Sequence, residues 1–333
     1  MININIHNLV GVGLDNSTAK INSFIKEEFF NFVQNQKLKK NILIKFKSKI
    51  TIPKNIFRLN KNFYYDPKLK IFYFIKNNKI LSYNISGYFK DKIFIEIEKD
   101  FNKWFILYII ENTIYVLLSK KKFCMLHAGA VKKGNSSNII LGPQGSGKTF
   151  YALDKIKEGY SFLGDEYILL NDKGICSSFP RPINFKKFHQ NHYHEAFYYK
   201  WKSLRNLEKF KWFFKQIIKT FLLRADWQPM IRLRIGRVYP KTKIVIKTKI
   251  NKIILKFGNK KKISKSMLSS FYPRIILKNV QFEMINRFIS IYKYIFTPKD
   301  TFLKKVISDI NKLEKSKIKI IKSFLLKTHK MRN

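Results

Sequence analysis

Twelve consecutive residues, Asn138-Ile-Ile-Leu-Gly-Pro-Gln-Gly-Ser-Gly-Lys-Thr149, constrain this chain more than any other stretch. They satisfy G-x-x-x-x-G-K-[ST], with Gly142, Gly147, Lys148 and Thr149 at the fixed positions. The run 139–141 predicts a buried strand, and 149–158 predicts a helix closed by Gly159. Strand, loop and helix therefore follow in the order that separates a phosphate-binding loop from a glycine-rich turn. Glycines at 142, 145 and 147 let backbone N–H groups turn inward, where the positive end of the helix dipole adds to them. The expected cradle is Gly142, Pro143, Gln144, Gly145, Ser146, Gly147, Lys148, Thr149 and Phe150, and its expected cofactors are ATP and Mg²⁺. Lys148 would reach the β- and γ-phosphates, and the Thr149 hydroxyl would ligate the metal.

A phosphate cradle needs an acid nearby, and acids are scarce here: 21 Asp and Glu against 67 Lys and Arg. Asp165 and Glu166 form an adjacent pair between two strand-like runs, directly after Gly164. An acid at a strand end beside such a loop is where a Mg²⁺ ligand sits, and a second carboxylate can take a proton from an attacking hydroxyl. Thr149, Asp165 and Glu166 are thus the expected metal set. The run 123–131 reads as a strand carrying His127, and a hairpin back to the cradle would bring that imidazole beside it.

Around this centre, residues 1–100 alternate apolar and polar positions with period two, which predicts a β-rich antiparallel meander with one helix between Ser17 and Gln34. Residues 101–119 predict a buried packing helix, since Glu111, Asn112 and Thr113 interrupt its apolar run. The proline-rich stretch 178–183 reads as a loop over the site. His189, His192 and His194 with Glu195 follow no metal-ligand spacing. A helical insertion is expected over about 186–228. Within it, the alternating aromatic and basic residues of 196–226 suggest a lid packed by its aromatic face, with membrane surface, nucleic acid and partner protein left open. Strands are expected at 231–235 and 243–257 to complete the central sheet, and helices beyond 277.

The formal charge of +46 would ordinarily point to a polyanionic partner. Here the excess runs along the whole length, together with abundant Asn, Ile, Phe and Tyr, as in a very A+T-rich coding sequence, so nucleic acid is not expected. Cys124 and Cys176 have neither pairing nor metal-ligand spacing, and no long uncharged apolar stretch occurs. A cytoplasmic protein is expected, with peripheral membrane contact and homo-oligomerisation left open.

Taken together, Leu126-His-Ala-Gly-Ala130, Gly142 to Thr149, Gly159-Tyr-Ser-Phe-Leu-Gly-Asp-Glu166 and Phe179-Pro-Arg-Pro182 resemble the catalytic domain of HPr serine kinase/phosphorylase and its HPr-kinase-like relatives. The likeness covers roughly residues 123–185. It implies an α/β P-loop nucleotide-binding domain with a mixed sheet, similar to that of phosphoenolpyruvate carboxykinase, over residues 101–333, preceded by the β-rich region 1–100. By position it implies that Asp165 is the base on the acceptor hydroxyl, that Glu166 assists the metal, and that His127 and Lys148 are active-site residues. The implied reaction moves the γ-phosphoryl of ATP to a hydroxyl, serine by analogy, on a protein or peptide acceptor. Two departures stand out. The second carboxylate is Glu where HPr kinases have Asp, and the later signature loop with paired glutamate and arginine has no counterpart, leaving Arg232, Arg234 and Arg237 as candidate cations. The expectation is an HPr-kinase-like ATP-dependent kinase, and its rival is an ATP-binding regulatory or assembly protein without catalysis.

Overall fold

The computed structural model describes residues 2–35, 39–59, 63–76, 81–87, 90–142, 146–171, 173–185, 191–204, 206, 207, 209, 210, 214, 231–255, 304 and 308. The helices expected beyond 277 lie outside the described residues apart from the isolated positions 304 and 308. The architecture is mixed α/β, built mainly of strands in several sheets. Contacts divide the chain into two units. The first runs to Leu126 and adds Leu169–Gly174; the second takes His127–Ile168 and resumes at Ile175.

In the first unit, β1 (Ile2–Ile6) and β2 (Val10–Asp15) form a hairpin whose turn residues His7 and Asn8 have positive φ, a conformation that Asn tolerates well. Helix α1 (Ala19–Glu28) starts at Thr18, whose hydroxyl accepts from the Ile21 amide, and ends at Phe29. The chain then forms β3 (Val33–Gln34), β4 (Ile42–Lys47), β5 (Phe57–Arg58), β6 (Phe63–Asp66), β7 (Ile71–Lys76), β8 (Leu81–Ser86) and β9 (Ile93–Glu98). These nine strands make one sheet, in the order β3-β1-β2-β4-β9-β8-β7-β6-β5.

The expected antiparallel meander holds only for β5 to β9. β4 pairs parallel with both β2 and β9. For β2 and β4 the reason is α1, a helix long enough to make the crossover that parallel pairing requires; between β4 and β9 the strands β5 to β8 make up that connection. That helix is also shorter than 17–34, because Phe29 and Phe32 turn into the core and Val33–Gln34 pair with β1.

Helix α2 (Lys103–Lys120) is capped by Asn102, packs on α1, β2 and β10 (Phe123–Leu126), and buries most of its surface. Thr113, in its buried interior, donates to the Ile109 carbonyl one turn back at 2.7 Å, so its hydroxyl is satisfied within the helix. The boundary expected near residue 100 therefore lies inside this unit. Among the described residues, no helix is long and apolar enough to cross a membrane.

In the second unit, β11 (Gly129–Lys133) and β12 (Ser136–Leu141) form a hairpin, after which come α3 (Lys148–Lys157), β13 (Ser161–Gly164), β14 (Tyr167–Asn171), whose last three residues are counted with the first unit, β15 (Ile175–Phe179) and β16 (Ile183–Phe185). They are followed by α4 (Asn191–Lys202), β17 (Ile231–Leu233), the single turn α5 (Ile235–Val238), β18 (Lys247–Lys249) and β19 (Lys252–Leu255). One sheet runs β13-β11-β12-β19, with β19 parallel to β12, as a strand completing the sheet should be. Its neighbour β18 pairs instead with β15, because the extended run expected over 243–257 breaks before β19.

Three further expectations change. The run 123–131 is two strands, interrupted at His127 and Ala128. The stretch 178–183 is no loop over the site: β15 extends to Phe179, β16 starts at Ile183, and Pro180, Arg181 and Pro182 form a buried link between them. Ile235 starts a helical turn instead of ending a strand. One apolar core joins these elements through Val131, Ile140, Leu153, Phe162, Phe185 and Leu233. Among the described side chains of α4, His192 and Ala196 are buried, so the aromatic face expected to pack inward is only partly buried there, at Phe197 and Trp201, with Tyr198 outside.

Strand β4 gives a direct check on sidedness. Ile44, fully buried between two parallel neighbours, should cost about 2–5 kcal/mol when truncated to Ala, whereas Lys45→Ala on the same strand should stay within about 0.5 kcal/mol in urea denaturation.

Candidate functional site

Strand β12 delivers the chain to Gly142, which is buried, and α3 takes it up again at Lys148. Pro143, Gln144 and Gly145 lie outside the described residues. Gly147 is the N-cap, with φ of 86°, a left-handed conformation that costs a side-chain-bearing residue energy. Lys148, Thr149 and Phe150 make up the first helical turn, whose amides have no carbonyl one turn earlier inside the helix. Lys148 is buried, and its ammonium donates to the Gly142 carbonyl at 2.8 Å, closing the loop on itself. The Phe150 ring points elsewhere, edge-on to His192 with centroids 5.6 Å apart.

The acid pair arrives from β13. Gly164 is required there, since a Cβ at that position would run into the Tyr167 carbonyl oxygen. The tight passage brings Asp165 to α3, where its Oδ2 accepts from the Thr149 hydroxyl at 3.0 Å. Its Oδ1 is buried without a hydrogen-bond partner among the described residues, and so is the Ser146 hydroxyl oxygen. Two orphaned oxygens beside a helix N-terminus mark a place where polar atoms are held ready and unsatisfied. Burial pushes the Asp165 carboxyl up to about 6; the Thr149 hydrogen bond opposes this, Glu166 adds to it, and Lys148 and Arg232 work against it. Burial also pushes Lys148 down, with Asp165 pulling it back.

Glu166 faces a different partner. Its Oε2 accepts from Nη2 of Arg232 at 3.3 Å, while Nη1 of the same guanidinium donates to Asn184 Oδ1 at 2.8 Å. Asn184 and Arg232 sit directly opposite each other in the β16–β17 pair, so sheet register fixes the clamp. Of the three arginines weighed from sequence, Arg232 is the one with this geometry. The signal was the period-two pattern of Ile231-Arg-Leu-Arg, which turns Ile231 and Leu233 to the core and Arg232 away. Asn184 carried no comparable signal.

His127 lies at the break between β10 and β11, edge-on to the Tyr167 ring at 6.0 Å. Burial, and then the charge of Lys148, hold its pKa down at about 4, so the imidazole is neutral at pH 7. The structure thus brings Lys148, Thr149, Asp165 and Glu166 together with Arg232, and sets His127 within electrostatic reach of Lys148.

Among the described residues, no group of three or more His, Cys, Asp or Glu could hold a metal ion by itself. A Mg²⁺ ion carried in by a polyphosphate is another matter. It keeps most of its waters and needs one or two protein oxygens, and the Thr149 hydroxyl with the orphaned Asp165 oxygen fits that demand.

No protein-family model matches the chain, and no curated protein matches it.

The raised pKa has a measurable consequence for the metal-free, nucleotide-free protein. Folded Asp165 keeps its proton up to about 6 whereas the unfolded residue releases it near 3.8, so its contribution to stability is complete below the lower value and disappears as pH rises through the upper one. His127 works in the opposite sense, contributing above 6.5 and losing that contribution as pH falls toward 4. Asp165→Asn should therefore stabilise the protein by ~1–3 kcal/mol near pH 7.5, a gain that shrinks toward zero by about pH 4. Denaturant titrations in EDTA at the two pH values check it.

Proposed function

We propose that this chain binds a Mg²⁺–nucleoside triphosphate, ATP by expectation, on a P-loop of the HPr-kinase-like kind and transfers its γ-phosphoryl group to a hydroxyl. The observation that carries this reading is the Thr149–Asp165 hydrogen bond, with the second Asp165 oxygen buried and unsatisfied beside the first turn of α3. A Thr149 hydroxyl tied only to solvent would support phosphate binding alone. Tied to an acid with a raised pKa, it supports chemistry.

In this reading the amides of Lys148, Thr149 and Phe150 and the Lys148 ammonium hold the β- and γ-phosphates, in a mixed sheet arrangement like that of the phosphoenolpyruvate carboxykinase nucleotide domain. Lys148 must leave the Gly142 carbonyl to do so, exchanging a neutral acceptor for an anionic one. Thr149 and Asp165 would hold Mg²⁺, which supplies charge neutralisation on the phosphates. Asp165 also accepts the proton of the incoming hydroxyl: its affinity for a proton exceeds that of an ordinary carboxylate, yet it is ionised at pH 7. The acceptor oxygen bonds to the γ-phosphorus, the bond from that phosphorus to the bridging oxygen breaks, and the leaving diphosphate keeps the electron pair. Arg232, held by Asn184 and Glu166 and close enough to Asp165 to act on its charge, would supply positive charge to the transferred group.

The acceptor class, a serine hydroxyl of a protein or peptide, rests on the family resemblance. A reducing cytoplasm suits Cys124 and Cys176, both buried and unbridged.

With γ-labelled ATP, Lys148→Ala should weaken nucleotide binding by about 10- to 100-fold, the loss of a charge-assisted contact. Asp165→Asn should keep binding and lower transfer to labelled lysate proteins by about 10²- to 10⁴-fold. Unchanged turnover in the Asp165 variant removes it as the base. Label that stays on nucleotide with every acceptor points to an ATP-holding regulator, and wild-type protein that binds no ATP overturns both readings.

A further inference from the structure

Helix α4 and the residues after it present a surface that the nucleotide chemistry does not use. Apolar side chains here stand in water: Tyr198 is 63 % exposed, Leu207 66 %, Phe210 63 % and Phe214 51 %. Side chains of this size cost free energy when left in solvent, and a cluster of them marks an interaction face. Their order is helical. Phe197, Trp201 and Leu204 recur at i, i+4 and i+7, line a shallow apolar groove with Lys200 and Ile231, and the Phe197 and Trp201 rings stack within 9° of parallel. Leu207, Phe210 and Phe214 stand at i, i+3 and i+7, which is also a helical spacing, and the last two rings also stack.

Lysines interleave with the rings. The Lys202 ammonium lies 5.2 Å from the Tyr198 ring centre, and that of Lys209 lies 5.8 Å from the Trp201 ring. Over residues 196–224 there are eight Lys and Arg and a single acid, Glu208.

Aromatic rings with interleaved cations suit either a bilayer surface or stacked bases. The aliphatic members decide between them. Half-buried Leu204 and exposed Leu207 have no flat face to stack on a base, whereas leucine enters the boundary between headgroups and acyl chains readily, with tyrosine and tryptophan at headgroup level and lysine on lipid phosphate. We infer that α4 docks on an anionic lipid bilayer together with Leu204, Leu207, Phe210 and Phe214, with these and the α4 aromatic side chains inserted and Lys200, Lys202 and Lys209 on the headgroups. The inference is independent of what happens at Lys148.

Sedimentation of the full chain with vesicles tests it. Phosphatidylcholine alone should retain little protein, and phosphatidylcholine with phosphatidylglycerol should retain most. Because the chain carries +46, charge alone would produce some binding, so the deciding measurement is made at about 0.5 M salt, where exposed charges are screened within a few ångström. There Leu207→Ser/Phe210→Ser/Phe214→Ser should lower partitioning by about tenfold or more. Tyr198→Ser alone, at a surface position where folding is little affected, should lower it in the same direction. Equal partitioning of wild type and both variants at that salt overturns the proposal and leaves charge as the whole cause. Loss of single-stranded DNA binding by the variants with vesicle binding intact overturns it in favour of nucleic acid.

Discussion

A hydroxyl and a carboxylate 3.0 Å apart hold the centre of the second unit together: Thr149 on the first turn of α3 and Asp165 on the turn after β13. Each is placed by something that is not itself polar. Thr149 is where it is because Leu153 and Ile156 seat α3 against Val131, Ile140 and Phe162. Asp165 is where it is because Gly164 lets the chain pass beneath the Tyr167 carbonyl. The apolar core therefore sets the distance between two groups whose chemistry it does not share. Burial then does the rest, raising the proton affinity of the acid and lowering that of Lys148, so that both groups are held in the folded state at some expense to it.

The part of this that could be read from residues alone was the part governed by local chemistry. The strand β12, the helix α3, the glycine before the acid pair and the hairpin leading to β12 all follow from short-range rules, and the described residues carry each of them. Buried α2 was equally legible, since Glu111, Asn112 and Thr113 broke an otherwise membrane-like run. What escaped was long-range pairing. Nothing in Ile42-Leu-Ile-Lys-Phe-Lys47 says that its neighbours on both sides run parallel. The same holds for Thr248 and Ile254, which sit in adjacent short strands of similar composition yet belong to different sheets. The Asn184–Arg232 clamp escaped for the same reason: its members are 48 residues apart, and only strand register makes them face each other.

Charge is distributed unevenly for a chain so rich in lysine. Asp154 bonds the buried His192, whose other ring nitrogen meets the Tyr239 hydroxyl at 2.6 Å, so an acid on α3 ties that helix to α4 and to the chain beyond α5. Glu195 pairs with Lys157 across the same two helices. In the second unit, then, acids lie both at the N-terminal turn of α3 and along its body, and most of the lysine surplus is left facing solvent.

Gly164 has one more implication. A coding sequence that drifts toward adenine and thymine tends to trade glycine, whose codons begin with two guanines, for lysine, asparagine or isoleucine. The backbone oxygen over Gly164 leaves no room for any of these, and the Lys39 carbonyl closes off Gly11 in the same way. At such places any side chain meets backbone, so the passage that sets the acid pair cannot drift in composition without the chain itself moving.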